Sequence, residues 1–81
     1  MTDATKIIGQ EIALSTANTV GSASIVRCYN NTAGAVLVTI ANNGTTVATV
    51  TLGTGVTEYL QKQPTHTIAS NVAIRAVSVA F

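Results

Sequence analysis

The sequence predicts an all-β fold: one small antiparallel β-sandwich of about seven short strands, with a small β-barrel as the alternative. The β-branched residues Val, Ile and Thr dominate, and helix formers such as Leu, Glu, Lys and Met are scarce, which favours strands. No segment carries apolar residues at helical spacing beyond two turns. Turn residues recur at short intervals along the chain. With 81 residues, the chain is expected to form a single domain over 1–81.

The first third of the chain predicts an arm and two strands. Met1–Lys6 is expected to be a loose arm that could reach a partner. Alternation over Ile7–Leu14 predicts the first strand, with Gly9 as a candidate bulge. Val20–Asn30 predicts the second strand, which ends in a turn rich in Asn and Gly over 30–34.

Ala35–Ala41 and Thr45–Leu52 predict the clearest hairpin, and its loop length decides the register. A two-residue turn at Asn43-Gly44 mixes threonine and apolar side chains on both faces. A three-residue loop over Asn42–Gly44 separates them, and Gly44 then takes the left-handed position of a bulged turn. Because a one-residue slip exchanges the faces, the cleaner separation predicts the longer loop. This register pairs Val38 with Ala48 and Val36 with Val50.

The hairpin is expected to have one apolar face and one face rich in threonine. The predicted apolar face holds Val36, Val38, Ile40, Ala48, Val50 and Leu52, and the other holds Leu37, Thr39, Ala41, Val47, Thr49 and Thr51. A solvated sheet face is the simplest interpretation of Thr39, Thr49 and Thr51, since threonine is a good strand former. Sugar or ice binding is the alternative, although ice binding would favour a regular repeat, which is absent.

The last third predicts strands over Val56–Lys62, Thr67–Ala69 and Val72–Phe81. Pro64 cannot donate to a ladder, so the strand before it should end there or lie at an edge. The final strand is apolar on both faces. It is therefore expected to be covered on both sides.

The composition indicates an assembly subunit. Charged residues make up only 9% of the chain and the net charge is +1, so little repulsion keeps copies apart. A domain this small usually gains stability from disulfides, metals or association. Cys28 is the single cysteine and His66 the single histidine, so neither an internal disulfide nor a metal cage is expected. Association, as a homo-oligomer or with other proteins, remains.

No residue cluster predicts catalysis or a cofactor, and we expect the protein not to be an enzyme. Cys28 is interpreted as a small buried hydrophobe and His66 as a loop or interface residue that could respond to pH. Gly53-x-Gly55 lacks the third glycine and the following helix of a phosphate loop. Asp3, Glu11 and Glu58 are the only acids, and Glu11 and Glu58 are expected to pair with Arg27, Arg75 or Lys62.

Nucleic acid and membranes are not expected partners. The four basic residues are scattered at Lys6, Arg27, Lys62 and Arg75 and form no patch. The first residues show no basic run followed by an apolar run, so no export signal is expected. The residues predicted to contribute to an interface are Lys6, Arg27, Glu58, Lys62, His66, Arg75 and Phe81.

Three segments carry a resemblance to a known group of proteins: IVRCYN at 25–30, LQKQPTHTI at 60–68 and AIRAVSVAF at 73–81. The pattern resembles that of small Ala/Thr/Val-rich virion structural proteins of tailed phages, especially of marine and cyanobacterial hosts, and covers Ser24–Phe81. The chain departs from the pattern at Cys28, where Val is usual, and at His66, where Asp is usual.

The resemblance implies a virion component without catalytic, cofactor or metal-binding residues. A head decoration or cement protein is the first expectation, which would bind the major capsid protein or another virion protein, often as a trimer, and stabilise the lattice. In that case Met1–Lys6 could contact a neighbour and Val72–Phe81 could be buried between subunits. A neck, tail or fibre module that contacts the host surface is the second expectation, and a free-standing sugar- or ice-binding domain the third.

Overall fold

A computed structural model of the chain describes residues 5–80, which form an all-β sandwich of two antiparallel sheets without helices. Its eight strands are β1 (Lys6–Ile7), β2 (Ile12–Leu14), β3 (Ile25–Tyr29), β4 (Val36–Asn42), β5 (Thr45–Leu52), β6 (Thr57–Gln61), β7 (Thr67–Ser70) and β8 (Ile74–Ala80). The predicted fold class is confirmed. Over this part of the chain, no helix could cross a membrane.

The five-stranded sheet is built around β8. Strand β3 pairs with one edge of β8 and with β6, while β1 and β2 pair in turn along the other edge of β8. The three-stranded sheet has the order β5-β4-β7. The core between the sheets contains buried apolar side chains from both, among them Leu14, Val26, Cys28, Val36, Val38, Leu52, Ile68, Ile74 and Ala76.

Strand β8 is buried on both of its faces, as its sequence predicts. Ile74 and Ala76 face the other sheet and belong to the core. Val77 and Val79 point the opposite way, yet each is only 3% exposed. On that face Arg27 lies beside Val77 and Ile7 beside Val79. Phe81, the end of the predicted strand, lies outside the described residues.

The hairpin of β4 and β5 has the predicted faces but not the predicted register. Val38 lies opposite Val50 and Ile40 opposite Ala48, so the expectation of a three-residue loop is wrong. The turn is the two-residue Asn43-Gly44, with φ of 52° and 86°, which is the type I′ geometry.

A β-bulge explains how a two-residue turn can still separate the faces. Ala41 pairs with Thr46 and Ile40 with Ala48, which leaves Val47 as an extra residue in β5. The extra residue shifts the register by one and brings apolar residues opposite apolar residues from there on. Gly44 does take the predicted left-handed conformation.

The N-terminal strands are shorter than predicted. Of the strand expected over Ile7–Leu14, Ile7 belongs to β1 and Ile12–Leu14 form β2. The chain between them passes Ser78 closely: a Cβ on Gly9 would lie 2.9 Å from the Ser78 hydroxyl. Lys6, the end of the predicted arm, already belongs to β1. Residues 1–4 of the arm lie outside the described residues.

The strand predicted from Val20 begins only at Ile25, because a tight turn precedes it. The Asn18 side chain accepts a 2.7 Å hydrogen bond from the Val20 amide. Val20, Gly21 and Ser22 all have left-handed φ values between 55° and 66°. A short side chain that bonds its own backbone here overrides the strand propensity of valine.

Candidate interaction surfaces

The outer face of the five-stranded sheet brings together arginine and tyrosine side chains. The pairing places Arg27 between Val77 and Tyr59, and Tyr29 beside Arg75. These residues alternate with core residues along their strands, so they point away from the other sheet. We call this surface the Arg–Tyr face and define it by Glu11, Arg27, Tyr29, Tyr59, Arg75 and Val77.

The Glu11 carboxylate interacts with both arginines of the Arg–Tyr face. Arg75 Nε donates a 2.9 Å hydrogen bond to Glu11 Oε1, and an Arg27 guanidinium nitrogen lies 3.7 Å from Glu11 Oε2. The predicted pairing of Glu11 with arginine is thus confirmed. These side chains are between 33% and 43% exposed, so the pairs add little stability. Two cations against one anion leave the face with a positive excess of one charge.

Arg27 is held by more than its partner carboxylate. Its guanidinium carbon lies 5.9 Å from the centroid of the Tyr29 ring, within the range of a cation–π contact. Since arginine keeps five donors in a fixed fork, much of its capacity stays directed at solvent. An arginine oriented in this way is suited to bind a carboxylate of a partner.

Apolar side chains extend the Arg–Tyr face toward one end of the sheet. Val77 and Val79 form a buried floor, and Ile7, which pairs with Val79, is 68% exposed. Tyr59 is 44% exposed. Exposed apolar and aromatic surface next to oriented arginine is the composition that protein–protein interfaces favour.

A second surface is a groove between the edge strands β5 and β6, where the two sheets diverge. It has a volume of about 240 Å³ and no charged residue in its lining of Val38, Ile40, Ala48, Thr49, Val50, Tyr59, Leu60 and Gln61. We call it the edge groove. It exposes part of the inner face of β5, where Val50 is 37% exposed.

Charge is distributed unequally between the two sheets. Strands β4, β5 and β7 contain no Asp, Glu, Lys, Arg or His. Over residues 5–80, every Lys, Arg, Asp and Glu lies in or beside a strand of the five-stranded sheet. The three-stranded sheet therefore has neither attractive nor repulsive charges of its own.

The predicted interface residues fall into different environments. Arg27 and Arg75 lie on the Arg–Tyr face, whereas Lys6 on β1 and Glu58 on β6 are exposed elsewhere. Glu58 makes no ion pair within residues 5–80. His66 is half-buried in the turn before β7, where its amide donates to the Gln63 carbonyl at 3.0 Å. Phe81 is outside the described residues.

Lys62 is the predicted interface residue that is turned inward. It is 7% exposed, and its ammonium donates to the carbonyls of Ala23 at 2.7 Å and Gln63 at 3.3 Å. Burial lowers the pKa of Lys62 below its ordinary value. The residue fastens the loop before β3 to the end of β6, a structural role that the sequence did not reveal.

Cys28 occupies the core, as predicted. It is fully buried, and burial raises the pKa of its thiol to about 11. A buried thiol with a raised pKa is a poor nucleophile. Within residues 5–80 there is no group of three or more His, Cys, Asp or Glu residues that could hold a metal ion.

The two tyrosines of the Arg–Tyr face were not predicted as site residues. The sequence places Arg27 and Tyr29 two positions apart on one strand, but the position of Tyr59 beside Arg27 depends on the β3–β6 register, which no local pattern specifies.

Comparison of the chain with protein-family models, curated proteins and solved structures finds no match.

Proposed function

We propose that the protein is a non-enzymatic virion structural protein of a tailed phage. The role that we prefer is that of a capsid decoration or cement protein, which binds the lattice of the major capsid protein and stabilises it. The observation that carries the proposal is the Arg–Tyr face, with Arg27 oriented over Tyr29. The resemblance over Ser24–Phe81 indicates the phage context.

The chemistry of the Arg–Tyr face fits docking rather than turnover. Tyrosine and arginine are the residues that most often dominate binding energy at protein interfaces. A carboxylate of the partner could replace solvent at Arg27. Apolar surface of the partner would then pack against Ile7, Tyr59 and the surface around Val77. Because Arg75 is already held by Glu11 at 2.9 Å, Arg27 is the arginine better placed to accept a new partner.

The low charge of the chain also supports a place in a crowded assembly. Only 9% of residues are charged, so neighbouring copies on a lattice would repel one another weakly. A small domain with so few charges has little to keep it dispersed at high concentration. Dense packing on a shell would suit such a surface.

Quantitative mass spectrometry of purified particles that carry the gene for this chain tests the proposal. Hundreds of copies per particle are expected for a decoration protein, whereas six or twelve copies would favour a neck, tail or fibre module. Complete absence from particles would refute the virion assignment.

Rebinding to particles stripped of the protein tests the Arg–Tyr face. Arg27→Gln should weaken rebinding at least about tenfold, since an interfacial arginine that pairs with a carboxylate is often a hot spot. Thr54→Ala, in an exposed turn between β5 and β6, is the control and should rebind like the wild type. Equal rebinding by both variants would exclude the Arg–Tyr face as the docking surface.

A second candidate function rests on the outer face of the three-stranded sheet. There Thr39 lies directly opposite Thr49, and Leu37 opposite Thr51; the sequence predicts that these residues share a face, but not these pairings. A flat, uncharged array of hydroxyl and methyl groups could bind sugar or ice. Glycan-array binding or thermal hysteresis that is lost in Thr49→Lys would favour this function over the first.

A further inference from the structure

The exposed edge of β5 is the least protected strand edge in the described part of the molecule. The outer edge of β7 is covered, because Ser15 and Asn18 make backbone hydrogen bonds to Ser70 and Ile68 at 2.8–3.0 Å. The edge of β8 that faces away from β3 is paired with β1 and β2. Within residues 5–80, the strands without a neighbour at their outer edge are β5, β6 and the two short strands β1 and β2. Strand β1 has only two residues and β2 only three, so they offer little edge for pairing.

The two longer open edges, those of β5 and β6, differ in their protection. Strand β6 is five residues long, carries Glu58 and is followed closely by Pro64. Charge and proline are devices that keep edges from pairing. Strand β5 is eight residues long, contains no charged residue and is exposed from Thr45 to Thr51. Its one protective feature is the bulge at Val47.

We propose that two copies of this chain associate through β5, edge to edge and antiparallel, to form one continuous six-stranded sheet. The proposal does not depend on the function proposed above. Its first support is charge: β5 and the whole sheet behind it carry none, so two identical edges meet without repulsion. An edge strand of another protein that carries charged residues would find no opposite charge on β5.

The second support is the apolar surface on both sides of the edge. A stable interface buries about 800 Å² on each partner, roughly a sixth of the 4801 Å² surface of this chain. Backbone pairing alone cannot supply that area. Val50 borders the edge groove on the inner side, and Val47 at 54% and Leu37 at 43% are exposed on or next to β5. Association through β5 would cover these side chains together.

The geometry also places the symmetry axis. The bulge at Val47 limits the regular part of β5 to Ala48–Leu52, whose centre is Val50. A twofold axis normal to the sheet keeps the inner faces of both copies on one side, so opposite residues must share a face. Pairing Val50 with Val50 of the second copy satisfies this and places Thr49 opposite Thr51.

Sedimentation of the full chain tests the association. The wild type should form a dimer, and Thr49→Lys should weaken dimerisation at least about tenfold, because lysine blunts an edge and the two lysines lie diagonally across the axis. Thr54→Lys adds the same charge in a nearby turn and should behave like the wild type. A monomeric wild type, a trimer or an open-ended series of oligomers would overturn the proposal.

An engineered cysteine tests the position of the axis independently. Opposed strand residues have Cα atoms about 4.5–5.5 Å apart, within the range for a disulfide. Val50→Cys should therefore form a covalent dimer on mild oxidation much faster than the control Thr54→Cys, while the wild type, with Cys28 buried, should form none. Equal rates for the two variants would overturn the proposal, even if Thr49→Lys failed to fold.

Discussion

The Asn30 side chain donates a 2.9 Å hydrogen bond to the carbonyl of Leu52, 22 residues along the chain. It also donates to the Gly34 carbonyl at 2.8 Å and accepts from the amide and hydroxyl of Thr32. Asn30 is fully buried, and it connects the end of β3 in one sheet to the end of β5 in the other.

Asn30→Ala should lower the free energy of unfolding by about 2–4 kcal/mol, because it removes the buried hydrogen bond to the Leu52 carbonyl and the acceptor of the Thr32 amide. Asn31→Ala changes the exposed neighbour and should stay within about 0.5 kcal/mol. Urea denaturation measures both. Equal losses would show that the buried amide is not a structural link.

The buried ammonium of Lys62 should make stability depend on pH in the alkaline range. Burial lowers the pKa in the folded state, so the unfolded chain binds more protons between that value and the ordinary pKa of lysine. Stability should then rise with pH through this window. In Lys62→Met this rise should be absent, whereas Lys6→Met, at an exposed lysine, should keep it. Parallel pH profiles of stability for all three proteins would contradict the assignment.

Gly44 holds the turn of the β4–β5 hairpin with a φ of 86°. Gly44→Ala should destabilise the fold by about 1–2 kcal/mol, since a Cβ is disfavoured in the left-handed region. Gly34 has no positive φ and open space around it, so Gly34→Ala is the matched control and should be close to neutral. Thermal unfolding of the two variants decides the matter: the turn geometry is wrong if Gly44→Ala is as stable as Gly34→Ala.

The thiol of Cys28 should be inert in the folded protein. Full burial and a pKa raised to about 11 keep it protonated and inaccessible at neutral pH. A thiol reagent should label it only after denaturant is added, at a rate limited by unfolding. Rapid labelling of the native chain would mean that this part of the core opens readily.

Much of the fold follows from local pattern. The double-sided burial of β8 follows from apolar residues on both of its faces, Ile74 and Ala76 on one and Val77 and Val79 on the other. Alternation also places apolar residues of the hairpin on its inner face. The bulge at Val47 was not predicted, because it is a compromise between the turn that Asn43-Gly44 prefers and the face that the core requires.

The interaction surfaces were less predictable, because they depend on how strands pair. Arg27 and Arg75 were recognised as interface candidates, but their shared carboxylate Glu11 lies 64 positions from Arg75. Lys62 has the composition of a surface residue and is nevertheless buried, since the carbonyl that receives its ammonium belongs to Ala23, 39 positions away. Such long-range partners leave no trace in a local pattern.

The confinement of charge to one sheet gives the molecule two sides that behave differently in solution. Ions can screen or strengthen an approach through the five-stranded side, and changes of ionic strength should tune it. The strands of the opposite side contain no charged residue, so contacts made through them should depend far less on ionic strength.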